Sequence, residues 1–265
     1  MASTVRVLIA ARHPPGGKLL IGGVQSWCLT VGEELIRLGH EVTFWGPHTR
    51  IDGMYDIGIL ANICDTRPAL KMCLRHLTIC HGIIPAEKSP VKDVAFTSEE
   101  VRDFWHGDGP IIRQPINLAF WRERSAEKRF LLRFSYREGL DFVPDIAKEL
   151  GFEYLHIRNA SQAEARDAIN QSACVIASGR AACEVMACNV PVVICDDRTY
   201  QEPLLDTDTI GSMQRNYSGR GGIRPDRQNM RDAIQSAIND GGLRAHVERH
   251  HDVKKITEEL LCLLC

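Results

Sequence analysis

The feature that most constrains this chain is a repeated alternation of short apolar runs with helix-period segments. Val5 to Ala11 (VRVLIAA) is a continuous apolar run, as expected of a strand buried on both faces of a parallel sheet. A glycine-rich loop follows, then a segment that sets Val24, Trp27, Val31, Leu35 and Leu38 on one helical face. Gly39 stands where a left-handed C-cap is wanted, and EVTFWG begins the next strand at once. DIGILANI (56–63) and LTIC (77–80) read as strands around a short helix, and DVAFT (93–97) as another strand. Ser98 followed by Glu99 and Glu100 predicts an N-cap with acids in the first helical turn. The rhythm breaks over Pro110 to Lys128, where Pro115 and the charged run from Arg122 read as a linker. It restarts with RFLLRFS, a helix ending near Gly151, EYLHI, a helix from Gln162, CVIAS, a helix over Ala181 to Cys188, and PVVIC. From Asp226 onward the pattern predicts two helices separated by Gly241 and Gly242. The expected class is α/β: two Rossmann-like, doubly wound domains facing a cleft, over residues 1–118 and 119–265.

Charge narrows the partners little. A formal net charge of -2 on 265 residues announces neither nucleic acid nor membrane, although a basic cleft can hide inside a neutral total. No apolar run approaches the ~18 residues that a spanning helix needs. Val5 to Ala11, ended by Arg12, His13 and two prolines, fits a first strand better than a signal peptide, and the expected location is cytoplasmic. Most of the ten cysteines, Cys28, Cys80, Cys174 and Cys195 among them, lie singly in apolar segments, as small buried hydrophobes of a reduced compartment do. Cys262 and Cys265 form one CxxC at the end of an apolar helix pattern, without the second pair that a zinc site wants.

Four segments carry residues with chemistry. Pro14 to Gly23 joins a strand to a helix start, where glycines let backbone N–H groups approach an anion; an ordinary tight turn reads equally well. In ICHGIIP, His81 comes just past a buried strand, at the strand ends where open α/β sheets bind ligands. A histidine there can position a hydroxyl, relay a proton, or serve structure alone. In IASGRAACEVMACNVPVVICDD, a strand ends at Ser178-Gly179 and a helix begins near Arg180. Backbone donors and a fixed guanidinium suit a diphosphate. Glu184, four residues on, can accept two hydrogen bonds from a ribose diol, or can pair with Arg180 for only ~0.2–0.5 kcal/mol. In LLRFSYREG, Arg133 and Arg137 follow the first strand of the second half, as phosphate ligands or as a solvated charged loop.

In this order the segments resemble the family-4 type of GT-B glycosyltransferases (glycosyl transferases group 1) over roughly residues 5 to 240. GGVQSWCLTVGEELIRLGHEVTFWGP resembles that family's opening, a GG pair, an amphipathic helix and a GHEV strand. ICHGIIP with DVAFTSEEVRDFW is similar to its HG segment and following strand–helix. QPINLAF resembles the hinge entry, RFSYREGLDFVPDIAKELG its basic strand–helix, and SGRAACEVMACNVPVV its "S…EAmAcG.PVV" signature. NYSGRGG fits the tail of some members. The chain departs from the family where Ile176 replaces the first of two glutamates, where Glu138 replaces a lysine beside Arg137, and in its short length.

The resemblance implies a metal-independent, retaining transfer of a sugar from a nucleoside diphosphate, a UDP-sugar first of all, to an acceptor hydroxyl. It implies that Gly22 and Gly23 approach the donor, that His81 sits beside the transferred sugar, and that Arg133 binds diphosphate. Ser178, Gly179 and Arg180 would lie against sugar and phosphates, and Glu184 would hold the ribose. The implied catalytic set is His81, Gly23 and Arg133; the nucleotide-sugar is substrate, and no cofactor is expected. The acceptor is a glycan, a lipid-linked sugar or a hydroxylated base in phage-type DNA, the last contacted by the basic segments near 122–137 and 215–227. A non-catalytic nucleotide-sugar binder or partner subunit, and a sugar epimerase, stay open as other classes. His246, His250 and His251 share a helical spacing that suits a metal or a solvated face, and no metal is expected.

Overall fold

The apolar runs become strands because each is sealed on both faces. In the computed structural model, which describes residues 4–13, 22–51, 53–62, 67–83, 93–135, 140–196 and 203–264, the chain gathers into two compact units. One holds residues 1–115 and 251–265, the other residues 116–250.

The first unit is built on β1 (Arg6–Ala10), β2 (Glu41–Trp45), β3 (Tyr55–Ala61), β4 (Cys73–Cys80) and β5 (Val94–Phe96). They form one parallel sheet in the order β2-β1-β3-β4-β5. β1 lies inside the sheet, so Val7 to Ala10 are wholly buried, which is why its sequence shows no alternation. α1 (Gly23–Arg37) lays Trp27, Cys28, Val31 and Leu35 into the core with Val7, Ile9 and Ile59. Gly39 leaves the helix at φ +91°, the left-handed exit that its position predicts. A 3-10 turn, Arg67–Met72, precedes β4. Ser98 caps α2 (Glu99–Phe104), its hydroxyl accepting the Val101 N–H at 3.3 Å.

The second unit repeats the plan. β6 (Phe130–Phe134), β7 (Glu153–Ile157), β8 (Ser172–Ala177), β9 (Val192–Asp196) and β10 (Leu204–Asp206) form a sheet in the order β10-β9-β8-β6-β7. Numbered within its own sheet, each unit reads 2-1-3-4-5. Of these ten strands only β10 runs antiparallel to its neighbour, and the alternation did not predict it. α3 (Val143–Glu149), α4 (Gln162–Asn170) and α5 (Arg180–Ala187) make the crossovers, and α6 (Arg227–Asp240) closes one face with Met230 and Ile234. α4 starts with a capping box between Ser161 and Glu164.

The end of the chain differs from its expectation in two ways. Beyond Gly242 there are two helices, α7 (Arg244–His250) and α8 (Val253–Leu264), interrupted at His251-Asp252. α8 also leaves the second unit. Ile256, Leu260 and Leu264, spaced four apart, join the core of Trp27, Val31 and Leu77, and the Leu264 carbonyl accepts from Arg75 at 3.1 Å. A domain running on to residue 265 is thus not what the packing makes. Strand–helix rhythm says that a helix will bury its stripe, not which sheet receives it. Among the described residues, no helix is long and apolar enough to cross a membrane.

Candidate functional site

In an open α/β sheet, neighbouring strands whose connections leave in opposite directions open a crevice at their carboxyl ends. In the second unit those strands are β6 and β8. They lie side by side with Arg133 opposite Ile176, one residue short of the end of each. Arg133 is only 2% exposed, so the sequence alternative of a solvated loop does not hold for it. β8 then passes through Ser178 into Gly179, which takes φ +58° and ψ -135° as N-cap of α5. That conformation is open only to glycine. The Gly179 N–H donates to the Tyr217 carbonyl at 2.6 Å.

α5 begins at Arg180, and one turn later Arg180 Nε donates to Glu184 Oε1 at 3.0 Å. Both side chains are nearly sealed, Arg180 at 6% and Glu184 at 7% exposure. Burial pushes the Glu184 carboxyl above its ordinary range, while the charge and hydrogen bond of Arg180 pull it back. The pair therefore exists in the form of the plain internal ion pair. It is also a buried one, at a helix start, which a solvated i, i+4 pair is not. Such a crevice offers cationic and backbone donors to a diphosphate and a carboxyl acceptor to a diol. Arg137 lies outside the described residues.

The first unit ends its strands differently. Asn62, His81 and Thr97 are the residues immediately after β3, β4 and β5, three neighbours in the sheet. The His81 N–H donates to Asn62 Oδ1 at 3.1 Å, and the Thr97 hydroxyl lies 3.3 Å from the carbonyls of both His81 and Cys80. Trp27 from α1 meets the His81 ring edge-on, with centroids 5.3 Å apart and planes at 85°. His81 Nε2 is buried and has no hydrogen-bond partner among the described residues. Burial pushes its pKa down to about 3, so the ring is a neutral imidazole at ordinary pH. Such a ring suits positioning a hydroxyl more than carrying a proton as imidazolium. At the start of α1, the Gly22 N–H donates to Gln25 Oε1 at 2.5 Å, and a Cβ added to Gly23 would meet nothing within 4 Å among the described residues. The loop from Pro14 to Ile21 lies outside the described residues.

The strand-end rule that singled out His81 applies equally to Asn62 and Thr97, which sequence reasoning passed over because neither is titratable. Trp27 counted only as core, and Tyr217 only as part of a tail resemblance. The remaining candidates serve structure. His246 Nε2 shares a hydrogen bond of 2.8 Å with the Tyr217 hydroxyl, and His251 Nδ1 lies 3.0 Å from the Gln114 carbonyl. Among the described residues, no group of three or more His, Cys, Asp or Glu is arranged to hold a metal. Several cations of the two basic segments are answered within the second unit. Arg124 pairs with Asp167 at 3.2 Å, Arg129 with Glu153 at 3.3 Å, and Arg215 with Asp206 at 2.5 Å.

By sequence, the chain matches no family model and no curated protein. By structure it matches several enzymes over nearly its whole length. AviGT4, a glycosyltransferase of avilamycin A biosynthesis, aligns with a TM-score of 0.65 at 13% identity, covering 98% of this chain and 97% of the other. Sucrose-phosphate synthase from Thermosynechococcus elongatus gives 0.64 at 13% identity, with 98% of each chain covered. An alpha-glucosyltransferase in complex with UDP and a 13-mer DNA containing an HMU base gives 0.61 at 10% identity, covering 99% of this chain and 100% of the other. The chain has the GT-B fold of these glycosyltransferases.

Proposed function

We propose that this protein transfers a glycosyl group from a nucleoside-diphosphate sugar, UDP-sugar first, to an acceptor hydroxyl with retention at the anomeric carbon. The observation that carries the reading is that three charged side chains of the second unit are buried: Arg133 near the end of β6, and the Arg180–Glu184 pair in α5, just past β8. Three charged groups are costly to bury and are kept where a charged ligand uses them. Arg133, Arg180 and the first turn of α5 take the diphosphate, and Glu184 the ribose hydroxyls. As the bond to the anomeric carbon breaks, negative charge grows on the leaving diphosphate, so fixed donors there stabilise the transition state more than the ground state. Gly22 and Gly23 admit the donor closely, and neutral His81 orients a sugar hydroxyl.

Retention rests on the family resemblance, and the first unit limits its route. Among its described residues, the groups just past β3, β4 and β5 are Asn62, His81 and Thr97, and none is a carboxylate nucleophile. Attack on the same face as departure fits that set. The acceptor reading favours a glycan or lipid-linked sugar over a DNA base, because Arg124, Arg129 and Arg215 of the two basic segments already pair within the protein. The DNA complex of one structural neighbour keeps the base as the second acceptor to try.

A thermal-shift panel of nucleoside diphosphates and nucleotide sugars, on wild type and Glu184→Ala, tests the donor site. At a hundredfold excess over its dissociation constant a ligand adds ~2.7 kcal/mol. A shift with uridine compounds that the substitution abolishes supports the assignment, and no shift with any donor ends it. Anomeric analysis of the product then tests retention. A donor that binds and is never turned over, even by hydrolysis, identifies a non-catalytic binder instead.

A further inference from the structure

We propose that Tyr217 is a positioning residue for the donor site: its carbonyl, held by a ring anchored to His246, fixes the Gly179 N–H and with it the start of α5. This rests on the donor reading above. The effect of Tyr217 on the phosphates passes through the glycine.

Three observations converge on this residue. The first is backbone conformation. Asn216 and Tyr217 stand consecutively in the left-handed region, at φ +53° and +52°. Such conformations cost ~1–3 kcal/mol each for residues with a side chain and persist where surroundings over-determine them. A bulky aromatic is a poor choice for that position unless its side chain is held. The second is that it is held on every side. Tyr217 is 0% exposed, packs in the core with Trp121, Met186 and Val247, and shares a 2.8 Å hydrogen bond between its hydroxyl and His246 Nε2. The third is what the carbonyl does. It accepts the Gly179 N–H at 2.6 Å, at the residue between β8 and α5 whose conformation only glycine adopts.

The geometry orders the donor loop in a specific way. Gly179 turns the chain through φ +58° so that α5 starts directly at Arg180. With its N–H committed to Tyr217, the peptide between Ser178 and Gly179 cannot swing. Ala182 already donates to the Gly179 carbonyl at 3.1 Å, and the two amides before it, those of Arg180 and Ala181, keep a constant direction toward an anion. A side chain remote from the phosphates thus sets where the phosphates sit. Next to it, Gly219 and Gly221 at φ +77° and +83° continue the turn, and a Cβ on Gly222 would fall 2.1 Å from the Leu205 carbonyl. This segment is tied to the sheet edge as well as to the donor loop.

The test uses the full chain with UDP as probe. Tyr217→Phe removes only the hydroxyl. We expect a roughly fivefold weaker dissociation constant for UDP and donor KM, with acceptor KM unchanged, and a shifted amide resonance of Gly179 even without ligand. His246→Ala should match it, and His246→Gln, which restores a polar partner, should recover most of the affinity. A merely structural Tyr217 would lower Tm and leave the donor KM and the Gly179 resonance in place, and that result overturns the proposal. Should Tyr217→Phe fail to fold, the His246 pair decides: equal UDP affinity in His246→Ala and wild type also overturns it. Wild type that binds no uridine compound removes the donor reading and this proposal together, whereas tight wild-type binding with unaltered variants removes only the role of Tyr217.

Discussion

The two units share one strand order and differ in what stands at the strand ends. In the first, the residues after β3, β4 and β5 are Asn62, His81 and Thr97, all uncharged at neutral pH, joined by hydrogen bonds between side chain and backbone. In the second, Arg133 near the end of β6 and the Arg180–Glu184 pair of α5, just past β8, are all nearly sealed from water. The same scaffold therefore supplies a neutral half and a charged half. The proposed transfer from a nucleoside diphosphate makes different demands on charged and neutral groups. The leaving group carries the charge and needs fixed cations, while the sugar carries hydroxyls and needs neutral partners.

The comparison can be broken most forcefully in the charged half. Arg180→Met leaves Glu184 buried without its partner, and we expect a loss of ~3–5 kcal/mol at neutral pH. The sign of the pH dependence is fixed. Glu184 already has a raised folded pKa, and losing Arg180 raises it further. A raised pKa contributes stability at low pH that disappears as pH climbs, so the damage should shrink in acid. Urea melts at a series of pH values check this; damage that grows toward acid would contradict the burial account. Glu184→Gln keeps an acceptor for Arg180 Nε but leaves that guanidinium buried without its counter-charge, so it too should cost stability while losing uridine-nucleotide binding.

A change of similar scale separates the units themselves. Leu260 of α8 packs with Trp27, Val31 and Leu77. Leu260→Ala should cost ~2–5 kcal/mol, and hydrogen exchange should report the loss in β1 and β4 rather than in β6 and β8. Equal loss of protection in both sheets would show that α8 belongs to both.

In the neutral half the handle is His81. Folded, it stays neutral down to about pH 3, whereas unfolded it takes a proton near 6.5. Below pH 6.5 the unfolded chain binds more protons, so stability is full above that value and falls as pH drops toward 3. We expect roughly 3 kcal/mol to be lost from this source by pH 4, and His81→Asn to flatten that part of the profile. An unchanged acid limb in His81→Asn would place the titrating group elsewhere.

The smallest effect sharpens the comparison between two glycines. Gly179→Ala puts a side chain at φ +58° and should cost ~1–3 kcal/mol. Gly23→Ala meets open space, at the first residue of a helix. Its stability should change by less than ~0.5 kcal/mol, and any loss of donor affinity reports ligand contact directly. Wild-type donor affinity in Gly23→Ala would remove that glycine from the site.

Much of this was legible in the sequence, and for identifiable reasons. Local signals carried the elements. Val5 to Ala11 had to be a buried strand, Ser98 had to cap a helix, and Gly39 had to end one. The strand-end rule placed His81, and the same rule applied without preference for titratable residues would have placed Asn62 and Thr97. Arg133 could not be told from a solvated cation until its burial was known, because an arginine on a buried strand and one on a loop look alike in a string of letters. Three features had no local signal to rest on. The antiparallel β10, the break at His251-Asp252 and the return of α8 to the first unit all depend on partners far away in the chain.

The sequence by itself determined the class of fold, the doubling of the unit and the short segments that hold the candidate site residues, since these depend on periodicity and on residues within one or two turns of each other. Tertiary structure alone decided which side chains are sealed, that His81 is uncharged, that Glu184 is pressed toward its neutral form, and that Tyr217 reaches Gly179 across 38 residues of chain. Burial and long-range hydrogen bonding are properties of packed neighbours, and packing is set by the whole chain at once.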